Sequence, residues 1–260
     1  MTNTAETKHI FNKYFDHIFV LTIDSSKERQ KLIETQLGDA AFSFFYGINK
    51  NQIKKQDWIS LGFYDENKAI SVERFSKSMS LGELACAQGH YLIYKEIIEK
   101  GYSKVLILED DIIINKGILE KLDQMMIEIP EYWDILYLDY DKNEKYHIGT
   151  FLKQCFYCFQ HLIGLMKFNY KMIWNYYSKP FSKHLRKAGY HYFADAYAIS
   201  NYGCKKIIEL QTPLIFPADH VLPWAITNEL LVGFLCVPKL VMQTSQQGDG
   251  STSMVINPFE

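Results

Sequence analysis

Cysteine is scarce in this sequence. Five residues in 260, an odd number, are scattered at Cys86, Cys155, Cys158, Cys204 and Cys236. That pattern excludes a small disulfide-stapled scaffold and points to a reducing, cytoplasmic setting. Long hydrophobic runs are missing too. The longest candidate, Cys155 to Met166, contains Gln160 and His161 and falls short of the ~20 apolar residues that span a bilayer. Met1 to Lys13 is polar and lacks the apolar stretch of a signal peptide. Neither sign of charge is in excess. The 28 basic and 30 acidic residues give a net −2, whereas a general nucleic-acid binder is ordinarily basic. Cys155-x-x-Cys158 has no second pair at zinc-ribbon spacing, so it reads as two unrelated thiols.

What is present is an ordinary globular composition, 48% hydrophobic and 22% charged, in a chain long enough to bury a core without staples. Strand-like and helix-like segments alternate. His17–Ile23, Ala41–Tyr46, Lys104–Leu108, Trp133–Leu138, Tyr192–Ile199 and Phe234–Leu240 read as strands. Ser25-x-x-Glu28 and Ser80-x-x-Glu83 have the form of capping boxes. The first opens a helix that stops near Gly38, and the second opens one of about five turns that ends before Gly101. Further helices are expected at Lys116–Glu128, after a cap at Asn201, and at Val221–Leu231. Gly47 to Lys77 reads as a loop or small insertion, and Asp139 to Gly189 as an irregular or helical section that shapes a site. The expectation is one α/β domain over residues 1–260, a Rossmann-type mixed, mainly parallel sheet with helices on both faces. Residues 1–15 form an N-terminal extension and 242–260 a C-terminal loop or tail.

Ligands of such sheets bind beyond the carboxyl ends of the strands. There the run Lys104–Leu108 leads straight into Glu109-Asp110-Asp111. Three adjacent carboxylates repel one another, and an apolar strand leading into them offers little solvation. A divalent cation resolves the conflict, and oxygen ligands suit manganese or magnesium, with a substrate diphosphate completing the shell. Asp111 is the expected direct ligand. Glu109 ligates through water or contacts a ribose. The bland alternative is an acidic helix N-terminus favoured by the helix dipole.

Met79 to Asp111 resembles glycosyltransferase family 25, the bacterial lipopolysaccharide and lipooligosaccharide glycosyltransferases. Gly82-Glu83, Cys86, His90 and Leu108-Glu109-Asp110-Asp111-Ile112 carry the resemblance. Val20 to Asp24 with Glu28-Arg29, Ala196 to Ser200 with Gly203, Pro217-Ala218-Asp219, Cys236-Val237-Pro238 and a serine-containing tail at Ser251 and Ser253 extend it over roughly residues 16 to 255. The resemblance implies a GT-A-like fold, a UDP-sugar donor, inversion at the anomeric carbon and transfer of galactose to a saccharide acceptor, in some relatives a lipid-linked one. It also implies donor contacts at Thr22, Asp24, Arg29, Glu83, His90, Glu109 and Asp110. Glu83 has a second role open to it, as a helix cap, and a lone His such as His90 on an amphipathic helix is commonly structural.

An inverting transfer needs a base beside the acceptor hydroxyl. Asp219 is the first candidate, from a proline-flanked segment that matches the family's Pro-x-Asp; otherwise it caps the helix at Val221. Asp195 is the alternative, and His220 is a weaker candidate metal ligand. Lys179, Lys183, Arg186 and Lys187 form a basic stretch that either faces solvent or touches an anionic membrane surface peripherally. Two rival functions stay open. A sugar-1-phosphate nucleotidyltransferase shares an acidic metal site, but it opens with a glycine-rich phosphate loop, and no glycine follows Ile23 before Gly38. An inactive nucleotide- or carbohydrate-binding module is the other.

Overall fold

The computed structural model describes residues 9–72, 76–140 and 146–244; Ser251 and Ser253 lie outside them. The chain begins with α1 (Ile10–Tyr14), β1 (His17–Thr22), α2 (Lys27–Leu37) and β2 (Ser43–Tyr46). A 3-10 turn at Lys50–Gln52 leads into α3 (Lys55–Ser60), α4 (Glu66–Val72) and the long α5 (Leu81–Lys100). Next come β3 (Lys104–Glu109), β4 (Ile112–Ile114), a 3-10 turn at Lys116–Ile118, α6 (Lys121–Glu128) and β5 (Ile135–Tyr137). The second half holds α7 (Ile148–Leu162), α8 (Tyr170–Trp174), β6 (Lys179–Pro180), β7 (Leu185–Lys187) and β8 (Ala196–Ser200). It closes with α9 (Asn201–Leu210), α10 (Ala218–Thr227), β9 (Gly233–Cys236) and β10 (Val241–Gln243).

Eight strands make one mixed sheet in the order β2-β1-β3-β8-β5-β9-β7-β6. β1 runs parallel to β2 and β3, and β5 runs parallel to β9. β8 is inserted antiparallel between β3 and β5, and β7 is antiparallel to β9. Side chains alternate across each strand, as the two-residue strand period requires. Phe19, Val105, Ile107, Tyr197 and Ile199 join α5, α9 and α10 in one apolar layer. Ile18, Val20, Leu106, Leu108 and Ala198 join α1, α2 and α6 in the other. The sheet is thus covered on both faces, as the alternating pattern predicts. Ile107 is 0% exposed at the centre, so Ile107→Ala should cost roughly 2–5 kcal/mol.

Helix α5 aims chemistry at the strand ends. The Ser80 hydroxyl accepts the Glu83 N–H at 3.3 Å, and the Glu83 carboxylate accepts the Ser80 N–H at 2.6 Å, the expected box. Gly101 ends the helix in the left-handed conformation at φ 71°. Gly89 lets the helix lie close against β1, since a Cβ there would sit 2.8 Å from Leu21.

Several local expectations are corrected. Ser26 occupies the N-cap of α2 with no side-chain capping bond, so the Ser25–Glu28 box does not form. Ser200, not Asn201, caps α9, its hydroxyl accepting the Gly203 N–H at 2.9 Å. α10 begins at Ala218 behind a Pro217 cap, which places Asp219 inside the first turn rather than at the cap. Met242 and Gln243 are not tail: with Val241 they pair antiparallel to β4. A three-residue strand carries too few alternations to register in sequence, and its partner β4 lies far back in the chain, Met242 pairing with Ile113. In the N-terminal extension, Phe11 and Phe15 are buried in the core. No described helix is long and apolar enough to cross a membrane.

Candidate active site

β1 ends at Thr22 and β3 at Glu109, side by side at the carboxyl edge of the sheet. Two cavities of about 390 Å³ open there and share Gly82, Cys86 and Glu109. The first is walled by Thr22, Arg29, Asp110 and the segment 47–51. The second is walled by Glu83, residues 192–195, residues 217–219 and Gln243.

The acidic trio diverges. The Asp110 carboxylate is buried, accepting a hydrogen bond from the Thr22 hydroxyl at 2.5 Å and one from Arg29 at 3.2 Å. Asp111 lies 3.5 Å from Arg29 and accepts from the Gln243 amide at 3.3 Å. Its own carbonyl accepts the Thr244 N–H at 2.8 Å, tying it to the end of β10. Burial lifts the Asp111 carboxyl above its usual range, the charge of Glu109 adds to that, and Arg29 opposes it. Glu109 turns towards α5, where Cys86 donates to its Oε1 at 3.5 Å and His90 Nε2 lies at 3.4 Å. The other nitrogen of His90 is 2.8 Å from the Tyr197 hydroxyl, which in turn meets Tyr94 at 2.5 Å. His90 is therefore a buried brace behind Glu109 and lines neither cavity. Burial, and then Glu109, push the Cys86 thiol far up, so at neutral pH it is a hydrogen-bond donor and not a thiolate nucleophile.

On the second side, Asp219 projects from the first turn of α10 into the cavity. Burial raises its carboxyl, His220 opposes, and Glu109 and Glu83 add. Asp195 is 3% exposed at the mouth of β8. Burial lifts its carboxyl well above the ordinary aspartate range, and the neighbouring charges of Asp139 and Glu109 reinforce this. No described donor group hydrogen-bonds either of its oxygens, which fits a protonated acid whose O–H donates a hydrogen bond to Asp139. Glu83 serves both its readings: it caps α5 and lines the second cavity. Desolvation pushes its carboxyl up, but the Ser80 hydrogen bonds and Lys77 prevail and hold it down.

Other candidates fall elsewhere. Asp24 is exposed, ion-paired to Lys27 at 2.7 Å, and lines neither cavity. His220 packs edge-on against Tyr192. Cys155 and Cys158 sit on α7, outside the groups of described residues that could hold a metal. The basic stretch forms the β6–β7 hairpin at the sheet edge, with Arg186 spent on Ser178. Sequence reasoning missed the segment 49–51, whose Asn49-x-x-Gln52 capping box was a readable signal, and it missed Gln243 and Asp139, which carried none.

The sequence itself has counterparts among known proteins. The profile of "Glycosyltransferase family 25 (LPS biosynthesis protein)" matches residues 15–222. The chain belongs to glycosyltransferase family 25. The bovine "Probable inactive glycosyltransferase 25 family member 3" is 24% identical over 216 residues, covering 80% of this chain and 31% of that protein. Human "Procollagen galactosyltransferase 2" is 25% identical over 136 residues, 48% of this chain and 20% of its own length. The chain thus spans a third or less of these two relatives. Among solved structures, A197 from STIV covers 92% of this chain and 97% of its own at 11% identity and a TM-score of 0.36. Mouse xyloside xylosyltransferase 1 covers 83% and 62% at 12% identity and 0.33. At such superpositions the site is read from its own geometry.

The divalent ion that the family resemblance implies would draw on oxygen donors at this strand end. Asp111 and Glu109 would supply them, the charge of Glu109 adding to the burial that raises the Asp111 carboxyl, and oxygen donors suit magnesium or manganese. Cys86, His90 and Glu109 also bring ligand atoms within 4.8 Å of one another. There the thiol and imidazole already converge on the Glu109 Oε1, so hydrogen bonds close the group without an ion.

Proposed function

We propose that this family 25 chain transfers a sugar, galactose by family resemblance, from a UDP-sugar to a saccharide hydroxyl with inversion, dependent on manganese or magnesium, in lipopolysaccharide, lipooligosaccharide or related glycan synthesis. The observation that carries the reading is the pair of cavities joined at Glu109. One suits a nucleoside diphosphate and the other an acceptor, with the reacting carbon at the junction.

In this reading the polar turn 49–51 and Arg29 receive the nucleotide. Asp111 and Glu109 would hold the ion, which when bound would supply positive charge to offset that of the leaving diphosphate. The Glu109 carboxylate is kept in place from behind by Cys86 and His90. Asp219 accepts the acceptor's proton from the opposite side as its oxygen attacks. Burial raises the Asp219 carboxyl, and a carboxylate with a raised pKa is, in its ionised form, a better proton acceptor than an ordinary one. Asp195, whose carboxyl burial and its acidic neighbours push well above the ordinary range, is less suited to that step and serves as the alternative.

The test is a screen of UDP-sugars for hydrolysis and transfer, with and without a chelator, reading the anomeric configuration of the product by NMR. Metal-dependent turnover with inversion is expected, and retention would overturn the mechanism. The "probable inactive" name of the bovine relative favours one second reading, a binding module. Tight UDP binding with manganese and no turnover on any acceptor would establish it. Nucleotidyl transfer from a nucleoside triphosphate should be absent.

A further inference from the structure

Helix α7 is built inside out. The side chains it turns inward are mostly polar. Gln154 is fully buried and donates to the Ile173 carbonyl at 2.7 Å, Thr150 is buried at the first turn, and His161 reaches the Met166 carbonyl at 3.1 Å. The side chains it turns outward are apolar: Ile148, Phe151, Leu152, Phe156, Phe159 and Leu162, from 39% to 76% exposed. Their spacing of three and four residues places them on one stripe. The stripe runs on into Ile163 and Leu165, exposed at 50% and 73%. A water-facing helix reverses this arrangement, and a contiguous exposed apolar face of such size marks an interaction surface.

The surrounding charge identifies the partner. Between Tyr146 and Ala194 the sequence holds seven of the 28 basic residues and none of the 30 acidic ones. The segment therefore carries +7 and the remaining chain −9, summing to the net −2. Lys153 on α7 and Lys183 and Lys187 on the β6–β7 hairpin are exposed. A helix with one apolar face, in a segment of the chain that carries only positive charge, is suited to lie in the interface of an anionic bilayer. We propose that α7 docks the protein on an anionic lipid surface, its outward face entering the acyl boundary while lysines of the same segment, Lys153 first, meet the headgroups.

The location adds consequence. α7 packs on α8, and α8 on α10, which carries Asp219. Their shared cluster includes Tyr190 and reaches Tyr192, which lines the second cavity. Resting on the transferase reading for this step alone, docking through α7 would hold the acceptor cavity beside the membrane, where a lipid-linked saccharide could enter without leaving the bilayer.

The experiment is co-sedimentation of the whole protein with phosphatidylcholine vesicles, with and without phosphatidylglycerol, in the absence of any donor or acceptor. Binding to the anionic vesicles alone is expected, and F156S/F159S should weaken it roughly tenfold or more, since each ring forfeits apolar burial. Both rings face outward, so circular dichroism and Tm should stay unchanged. Hydrolysis of a water-soluble UDP-sugar should also persist in the variant, which separates this proposal from the transferase reading. K153E/K183E/K187E, which leaves the apolar face intact, should reduce binding to anionic vesicles. Absence of vesicle binding overturns the proposal. So does a dimer in light scattering that F156S/F159S dissociates while vesicle binding is nil, because α7 would then be a contact between copies.

Discussion

The two halves of the cleft treat their carboxylates in opposite ways. On the nucleotide side, Asp110 is neutralised within the protein, by Arg29 at 3.2 Å and the Thr22 hydroxyl at 2.5 Å. On the acceptor side, no described lysine or arginine forms an ion pair with Asp195 or Asp219, and burial raises both carboxyls. Charge is spent on structure in the first half and held in a high-energy state in the second. Glu109 stands at the boundary, and its charge adds to the burial that raises the Asp111 carboxyl. Buried, uncompensated carboxylates cost stability, and groups held in that way are a signature of sites that await an ion or a proton. The contrast therefore predicts where substitutions should affect catalysis and where they should affect only the fold.

The largest effect should come at the boundary. Asp111→Asn keeps the Gln243 and Arg29 contacts within reach but removes the charge that holds the ion. Turnover should fall at least ~100-fold, about 2.7 kcal/mol of barrier, with an unchanged circular dichroism spectrum. Manganese titrations of donor hydrolysis check this, and full activity in the variant would remove Asp111 from the metal site.

The acceptor half should respond next. Asp219→Asn should bind UDP and manganese normally yet transfer at least ~100-fold more slowly, as base catalysis contributes about 10²–10⁴-fold. The wild-type rate should drop as pH falls through the raised pKa of Asp219, because a protonated base cannot accept; the drop should begin at a higher pH than for an ordinary aspartate. Calorimetric donor affinity alongside the pH–rate profile decides the matter. If affinity falls with rate, Asp219 contacts the donor, and Asp195 becomes the base to test.

How much of this was legible beforehand depended on the length of the signal. Lys104–Glu109 and Leu81–Lys100 were readable because a buried strand and a capped five-turn helix each repeat their pattern several times. The Ser80–Glu83 box and Gly101 even fixed the bounds of α5. β4 and β10 were unreadable, since three residues each hold one alternation and they meet only in the folded chain, so Gln243 beside Asp111 could not be foreseen. Asp139 beside Asp195 is the same case, 56 positions apart. Spacing suggested that adjacent carboxylates act together, but successive side chains near a strand end point to opposite sides, and the trio divides its attention accordingly.

Asp195 offers a smaller effect, read in stability. Its folded pKa is raised, so the native state holds a proton that the unfolded chain releases above about 3.9. Below that value both states are protonated and nothing is lost. As pH rises from there towards the folded pKa, stability declines, because the native state alone retains the proton. Asp195→Asn cannot ionise and should flatten this decline. Tm of the variant relative to wild type should therefore be higher at pH 7 than at pH 4. A constant difference across that range would mean that Asp195 is ionised in the native state.

The smallest effect should come from Asp24, which the family resemblance places among the donor contacts and the structure places outside both cavities. Its carboxylate is almost fully exposed and its described partner is Lys27, one turn along at 2.7 Å. Exposed pairs of this kind are screened by water and salt and hold two flexible side chains at an entropic cost, so they contribute little. Asp24 also follows Thr22, which faces the cleft and binds Asp110, so it provides a control only two residues from the site. Asp24→Ala should leave the UDP affinity and turnover within about twofold and shift Tm by less than about 2 °C. A tenfold loss of donor affinity would show that the loop after β1 folds over the nucleotide when it binds. The nucleotide half of the cleft would then be as poised for its ligand as the acceptor half, and the contrast between them would not stand.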